Sequence, residues 1–199
     1  MEIKIQHQPM GPYQTNCYIV TINGKDLIID PGVDASSWVI KNTTNPIAIL
    51  NTHGHFDHVW SNTEIKDKFN IPIYCPIDDC FMLEDDPFSQ GTPPSKADIK
   101  VLGDKSFEID GIKFSFYHFP GHTPGCSAIS IENHLFTGDF IFSNSIGRVD
   151  FPYSNPEDMI KSINKVLAWK DDFIIYPGHG DRTTLRDENG SLRNWLNYL

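Results

Sequence analysis

Apolar positions in this chain fall in short runs separated by turn residues, and most of the runs read as strands. From Met1-Glu2 through His7, Ile3 and Ile5 alternate with polar residues, which predicts a strand ended by the Gly11-Pro12 turn. Residues 17–22 form a second apolar run. Asn23-Gly24 is a two-residue hairpin signal, and 25–29 supplies the third strand of an antiparallel meander that closes at Asp30-Pro31-Gly32. A helix is predicted over 35–41, a strand over 47–50, a helix over 59–69 and a strand over 71–74. Residues 84–96 show no periodicity and hold three prolines and a glycine, as a lid, a binding loop or a disordered insert would. Strands resume at 99–102 and 106–109. Asp110-Gly111 turns into 112–119, and 127–131 and 134–137 pair around Glu132-Asn133. Residues 156–169 read as a helix with Pro156 at its first position and Asn155 as cap, followed by a strand at 173–176 and a closing helix at 192–198.

Strand-rich halves, each followed by helices, predict an α/β chain with two sheets packed face to face and helices outside. With 199 residues and no repeat or linker, residues 1–199 are expected to form a single domain. Apolar residues make up 39% of the chain, with 13 Phe and 4 Trp, enough for a packed interior. The net charge of −10 argues against nucleic acid or an anionic membrane as partner. No apolar run approaches the ~18 residues of a membrane helix. The N-terminal stretch lacks a signal-peptide core, so the cytoplasm is the expected location. Cys17, Cys75, Cys80 and Cys126 contain no CxxC pair and read as small buried residues, with a Cys75–Cys80 disulfide a minor alternative.

The chemistry concentrates in Asn51-Thr52-His53-Gly54-His55-Phe56-Asp57-His58, which places three imidazoles and a carboxylate directly after an apolar strand. Neutral imidazole is the commonest metal ligand among side chains. At a strand end, residues i and i+2 point the same way, so His53 and His55 reach one ion together. Asp57, as the expected cap of the next helix, and His58 would face a second ion. Three later strand ends each carry a further ligand beside glycine: Pro120-Gly121-His122, Gly138-Asp139 and Gly178-His179-Gly180. Asp30 is either an outer partner of a ligand histidine or a turn residue. Thr52 and Thr123 either hydrogen-bond around the ligands or shape turns, and Cys126 is a buried small residue. His7, His118 and His134 read as structural or surface groups. Thr183, Thr184 and Arg186 read as a structural tie of the C-terminus.

These segments resemble the metallo-β-lactamase superfamily, and most closely its type II glyoxalase (hydroxyacylglutathione hydrolase-like) branch. The resemblance runs from Ile28-Ile29-Asp30-Pro31-Gly32 to His179 and fills all seven ligand positions in order. It implies an αββα sandwich in which His53, His55 and His122 hold one metal, Asp57, His58 and His179 hold the other, and Asp139 bridges them. Imidazole and carboxylate donors without cysteine suit two divalent ions, zinc first, then iron or manganese. The implied reaction is hydrolysis of a small-molecule thioester such as S-lactoylglutathione by metal-bridging hydroxide, with Asp57 and Asp139 central to catalysis. A thiolate leaves without acid assistance, since its pKa is near 8.5. The segment Gly147-Arg148-Val149-Asp150-Phe151 resembles one found in short hydrolases of this type. Arg148 there pairs either with a substrate carboxylate or with Asp150 or another acid. Full-length glutathione-thioester hydrolases carry a helical C-terminal region that supplies much of the glutathione contact, whereas 20 residues (180–199) follow His179 here.

Three alternatives stand beside this reading. One is a mononuclear iron persulfide dioxygenase using His53, His122 and Asp139, which the form of Pro177-Gly178-His179-Gly180 argues against. The others are a hydrolase of another ester or lactone, and a non-catalytic binding module, whose mark would be a missing ligand.

Overall fold

A computed structural model describes residues 3–199; the part of the first predicted strand at Met1 and Glu2 lies outside the described residues. The chain divides into two compact units, the first running to Leu102 and the second from Gly103 to Leu199.

The first unit is built on a six-stranded mixed sheet. The meander is β1 (Ile3–Met10), β2 (Thr15–Ile22) and β3 (Lys25–Ile29), all antiparallel, and β4 (Pro46–Leu50), β5 (Ile73–Pro76) and β6 (Ile99–Val101) continue the sheet in parallel. Parallel neighbours need crossovers. Helices α1 (Ala35–Asn42), α2 (Phe56–Val59), α3 (Asn62–Phe69) and α4 (Cys80–Asp85) lie in them. Residues 27–29 and 48–50 are buried without alternation, as expected where both faces of a strand are covered. Ile28, Val39, Ile49, Val59, Ile65 and Ile73 belong to one core cluster.

The second unit has its own six-stranded sheet, in the order β14 (Thr183–Thr184), β13 (Ile174–Pro177), β10 (His134–Gly138), β9 (Ser127–Ile131), β8 (Ile112–His118) and β7 (Lys105–Ile109). Only β10 and β13 pair in parallel. A small hairpin, β11 (Ile141–Phe142) with β12 (Ser145–Ile146), follows β10. Helix α5 (Pro156–Leu167) starts as its sequence predicts: the Asn155 side chain accepts from the Asp158 amide at 3.2 Å and Pro156 opens the first turn. Met159, Ile163 and Val166 lie on one stripe of it, buried in a cluster with Leu135, Ile175 and Leu192.

Four local expectations change. The helix predicted over 59–69 is broken at Trp60 and Ser61, because Ser61 bonds to the 31–32 turn: its amide donates to Pro31 O at 2.9 Å and its hydroxyl to Gly32 O at 2.7 Å. Asp57 is not the cap of α2; His55 occupies that place and Asp57 lies in the first turn. The closing helix, α6 (Leu185–Trp195), begins seven residues before the predicted 192, capped by Thr184, whose hydroxyl accepts from the Asp187 amide at 3.1 Å. Its polar start hid it, since the buried stripe includes Glu188, which accepts from the Asn144 amide at 2.8 Å and the Thr183 hydroxyl at 2.7 Å. The aperiodic 84–96 stretch begins inside α4 and is then pinned by hydrogen bonds. Asp86 accepts from the amides of Gln90 and Gly91, Thr63 donates to Pro94 O, and the Ser95 amide donates to Leu83 O.

All four cysteines are buried thiols, and Cys75 and Cys80 form no disulfide. Burial pushes the Cys75 thiol well above its ordinary value, while its hydrogen bond lowers that of Cys80. Among the described residues no helix is long and apolar enough to cross a membrane.

Candidate metal centre

In the first unit the ligand loop leaves the end of β4. The Asn51 amide donates to Tyr74 O at 2.9 Å, which prolongs the sheet pairing by one residue. Asn51 and Asn62 then exchange side-chain hydrogen bonds of 2.9 and 3.3 Å. The Gly54 amide donates to Asp79 Oδ2 at 2.9 Å, so a carboxylate from the turn before α4 fixes the bend between His53 and His55. His53, His55, Asp57 and His58 are all buried. The His53 ring centroid lies 4.1 Å from that of His58 and 4.9 Å from that of His55.

Asp30 is the hub behind this loop. It closes β3 in a left-handed conformation, φ 47, that Asp tolerates better than most residues. Its Oδ1 accepts from the Thr52 amide at 2.8 Å, and its Oδ2 from the Thr52 hydroxyl at 2.6 Å and His58 Nδ1 at 2.9 Å. Side-chain ligand atoms of Asp30, His53 and His58 lie within 4.8 Å of one another. The Asp30 oxygens are nevertheless engaged by these donors, which makes it an orienting partner of the histidines.

Those bonds also fix tautomers. The single Thr52 hydroxyl proton goes to Asp30, so towards His53 Nδ1, 3.0 Å away, the hydroxyl can only accept. His53 therefore carries its proton on Nδ1. A carboxylate oxygen imposes the same tautomer on His58. Both rings present an Nε2 lone pair, and both Nε2 atoms are buried.

The second unit supplies the other three predicted ligands. His122 Nδ1 donates to the Arg148 carbonyl at 2.8 Å, so it too presents Nε2 as a lone pair. That Nε2 lies 3.4 Å from Asp139 Oδ2, and His179 Nε2 lies 3.5 Å from the same oxygen. The strands explain the convergence. β10 and β13 are parallel neighbours, so Asp139 and His179 leave the same end of the sheet, tied by the Gly178 amide to Gly138 O at 2.8 Å. His122 is held by the Ser154 hydroxyl on its carbonyl at 2.7 Å.

The Arg148 side chain pairs with Asp150. The guanidinium is exposed and holds that carboxylate through two bonds of 2.9 and 2.8 Å, which keeps the Asp150 carboxyl below its usual range. Its contact with the ligand set comes through its backbone carbonyl. Thr52 joins the hydrogen bonding around the candidate ligands, and the Thr123 carbonyl shapes the 121–126 turn. Sequence patterns gave no notice of Thr15, Asp79 or Ser154, nor of the tight packing at Gly147. Thr15 Oγ1 donates to Asp57 Oδ2 at 2.7 Å, and a Cβ at Gly147 would overlap the Asp139 carbonyl and lie 3.1 Å from His122 Cγ. Single hydroxyls, a lone carboxylate and a lone glycine carry no periodic signal.

The family model of the metallo-β-lactamase superfamily matches residues 10–179. The chain belongs to that superfamily. Its two mixed sheets with their helices match the α/β sandwich fold of known members. A crystal structure of the B3 metallo-β-lactamase BLEG-1 gives a TM-score of 0.84 at 34% identity, covering 93% of this chain and 96% of that one. A crystal structure of TTHA1623 in a di-iron-bound form gives 0.78 at 29% identity, covering 92% and 96%. A Haemophilus influenzae protein named hydroxyacylglutathione hydrolase GloC is 36% identical over 207 residues, 95% of this chain and 96% of its own. As a member of this metallo-hydrolase superfamily the chain carries His and Asp clusters suited to a divalent metal. The donor set fits one: imidazoles in the tautomer that leaves a lone pair inward, with carboxylates to offset positive charge.

Proposed function

We propose that the protein is a dinuclear metal-dependent thioester hydrolase, with S-lactoylglutathione as its representative substrate, and that residues 1–199 act as one hydrolase domain. In this reading His53, His55 and His122 hold one ion, Asp57, His58 and His179 hold the other, and Asp139 lies between them. Zinc is the first choice, with iron or manganese also suited to these donors. The observation that carries the reading is Asp139 Oδ2, which faces the Nε2 atoms of both His122 and His179 at 3.4 and 3.5 Å. A carboxylate oxygen shared by two imidazoles suits a bridge between two ions. A mononuclear iron site of His53, His122 and Asp139 leaves Asp57, His58 and His179 without a role. The name of the Haemophilus relative supports a thioester as substrate, and the di-iron form of TTHA1623 supports a two-ion count.

Bound ions supply Lewis acidity and lower the pKa of coordinated water to about 7, which provides a nucleophile at neutral pH. The chain's own part is to hold the donors ready. Thr52, Asp30 and the Arg148 carbonyl keep the imidazole protons on Nδ1, and Asp79 fixes the bend that presents His53 and His55 together. No protein acid is required at the leaving thiolate, whose pKa is near 8.5.

The purified protein is expected to bind two metal ions per chain and to hydrolyse S-lactoylglutathione, followed as loss of thioester absorbance. Two ions without turnover would remove the substrate and leave the site. One iron, with oxygen consumption and sulfite production, would replace the hydrolase with a dioxygenase.

Asp30→Asn tests the hub. An amide of the same shape turns a donor toward groups that already donate, and the His58 tautomer is no longer imposed. Zinc affinity, measured by competition with a chelator, is expected to fall roughly 10–100-fold, the usual effect of losing an outer hydrogen-bonding partner. Unchanged affinity would make Asp30 a turn residue only.

A further inference from the structure

Asp57 is held from two sides by the N-terminal meander. Thr15, the first residue of β2, is fully buried, and its hydroxyl donates to Asp57 Oδ2 at 2.7 Å. The same oxygen lies 3.5 Å from His58 Nε2. Opposite, the 31–32 turn rests on the Asp57 backbone so closely that a Cβ at Gly32 would overlap the Asp57 carbonyl oxygen. The backbone of Asp57 is therefore fixed by packing, but packing alone does not orient a carboxylate. The Asp χ2 torsion is broad and roughly two-fold. A hydroxyl buried beside the carboxylate removes that freedom, because it must place its proton and does so on one oxygen. His53 and His55 are oriented by other groups, through Thr52 and through the Gly54 amide on Asp79.

We propose that Thr15 is a positioning residue for the second metal ion: its hydroxyl holds the Asp57 carboxylate in the orientation that converges with His58 Nε2, and so sets the affinity of that ion and not of the first. The inference rests on the two-ion reading above, in which Asp57 and His58 serve one ion and His53 and His55 the other. Thr15 touches no substrate and acts only through Asp57.

The test is a zinc titration of metal-free wild type, Thr15→Val and Thr15→Ser against a chromophoric chelator, with melting of each metal-free protein recorded alongside. Wild type is expected to take up two ions. Thr15→Val, which keeps the shape and loses the hydroxyl, is expected to bind the first ion normally and the second roughly 10–100-fold more weakly, the range for losing a hydrogen bond behind a metal ligand. Thr15→Ser restores the hydroxyl and is expected to restore the second ion. Equal loss of both ions in Thr15→Val overturns the proposal, because it marks a general structural role. Wild-type affinity for both overturns it as well. If Thr15→Val does not fold, Thr15→Ala against Thr15→Ser gives the same comparison, with the same outcomes deciding. A wild type that binds one ion overturns the two-ion reading and this inference with it, whereas two ions bound at wild-type affinity by every variant overturns the inference alone.

Discussion

Asp139→Ala is expected to reduce thioester hydrolysis by roughly three orders of magnitude and to lower the metal content below two ions per chain. In the second unit, Asp139 Oδ2 is the oxygen that both His122 and His179 face. On the dinuclear reading proposed above, the two imidazoles would keep their places without it but lose the negative charge that would let two dications lie close together. Lewis-acid stabilisation at such a centre is worth several kcal/mol, and at about 1.36 kcal/mol per tenfold that is on the order of 10³ in rate. The substitution is not expected to unfold the chain. The turn that carries Asp139 is closed by Phe140 N to Thr137 O at 3.1 Å and the Thr137 hydroxyl to Ile141 O at 2.8 Å, neither of which uses the carboxylate. Metal analysis and turnover on a variant with an unchanged far-ultraviolet spectrum are the measurements. Full activity would refute the proposed bridging role.

Gly147→Ala is expected to be more damaging than a single methyl suggests. The new Cβ would overlap the carbonyl oxygen of Asp139 and approach His122 Cγ to 3.1 Å. Both neighbours are buried, and the Gly147 amide is itself tied to Phe140 O at 3.3 Å, so no flexible side chain can yield. Overpacking of this kind costs about 1–3 kcal/mol, and more where backbone must move. At about 2–4 °C per kcal/mol for a chain of this size, melting should fall by roughly 2–12 °C. The displacement falls on two candidate ligands at once, so metal affinity should drop along with stability. A variant with native melting and full zinc affinity would show that the segment tolerates a shift.

The sheets were legible because their signals are local. Alternation in β1, the Asn23-Gly24 turn and the apolar runs of β3 and β4 name strands wherever they occur, and the 25–29 strand has the predicted bounds. The candidate ligand residues stood out for a related reason. Imidazole and carboxylate side chains beside glycine at strand ends are conspicuous in sequence, although sequence alone left Asp30 and Arg148 with two readings each.

The missed features share one physical cause, which is that a distant partner overrides the local pattern. Helix propensity runs through residues 59–69, but the hydrogen bonds of Ser61 to the 31–32 turn break the helix there. The polar opening of α6 resembles a loop until Glu188 is seen buried on its stripe, accepting from Asn144 and Thr183. The Arg148 backbone carbonyl, which no side-chain pattern signals, meets His122 Nδ1.

By itself, then, the sequence determined the strand-rich α/β character, the two-sheet plan and the identity of the candidate ligands, since each depends on residues adjacent in the chain. Only the tertiary structure decided how those ligands are held. The Thr52 proton committed to Asp30, the Thr15 hydroxyl on Asp57, the single Asp139 oxygen facing His122 and His179, and the cramped Gly147 all depend on groups that folding brings together. The His53–His58 loop thus carries its candidate donors in its sequence, while their protons, orientations and spacing are set by contacts that only folding makes.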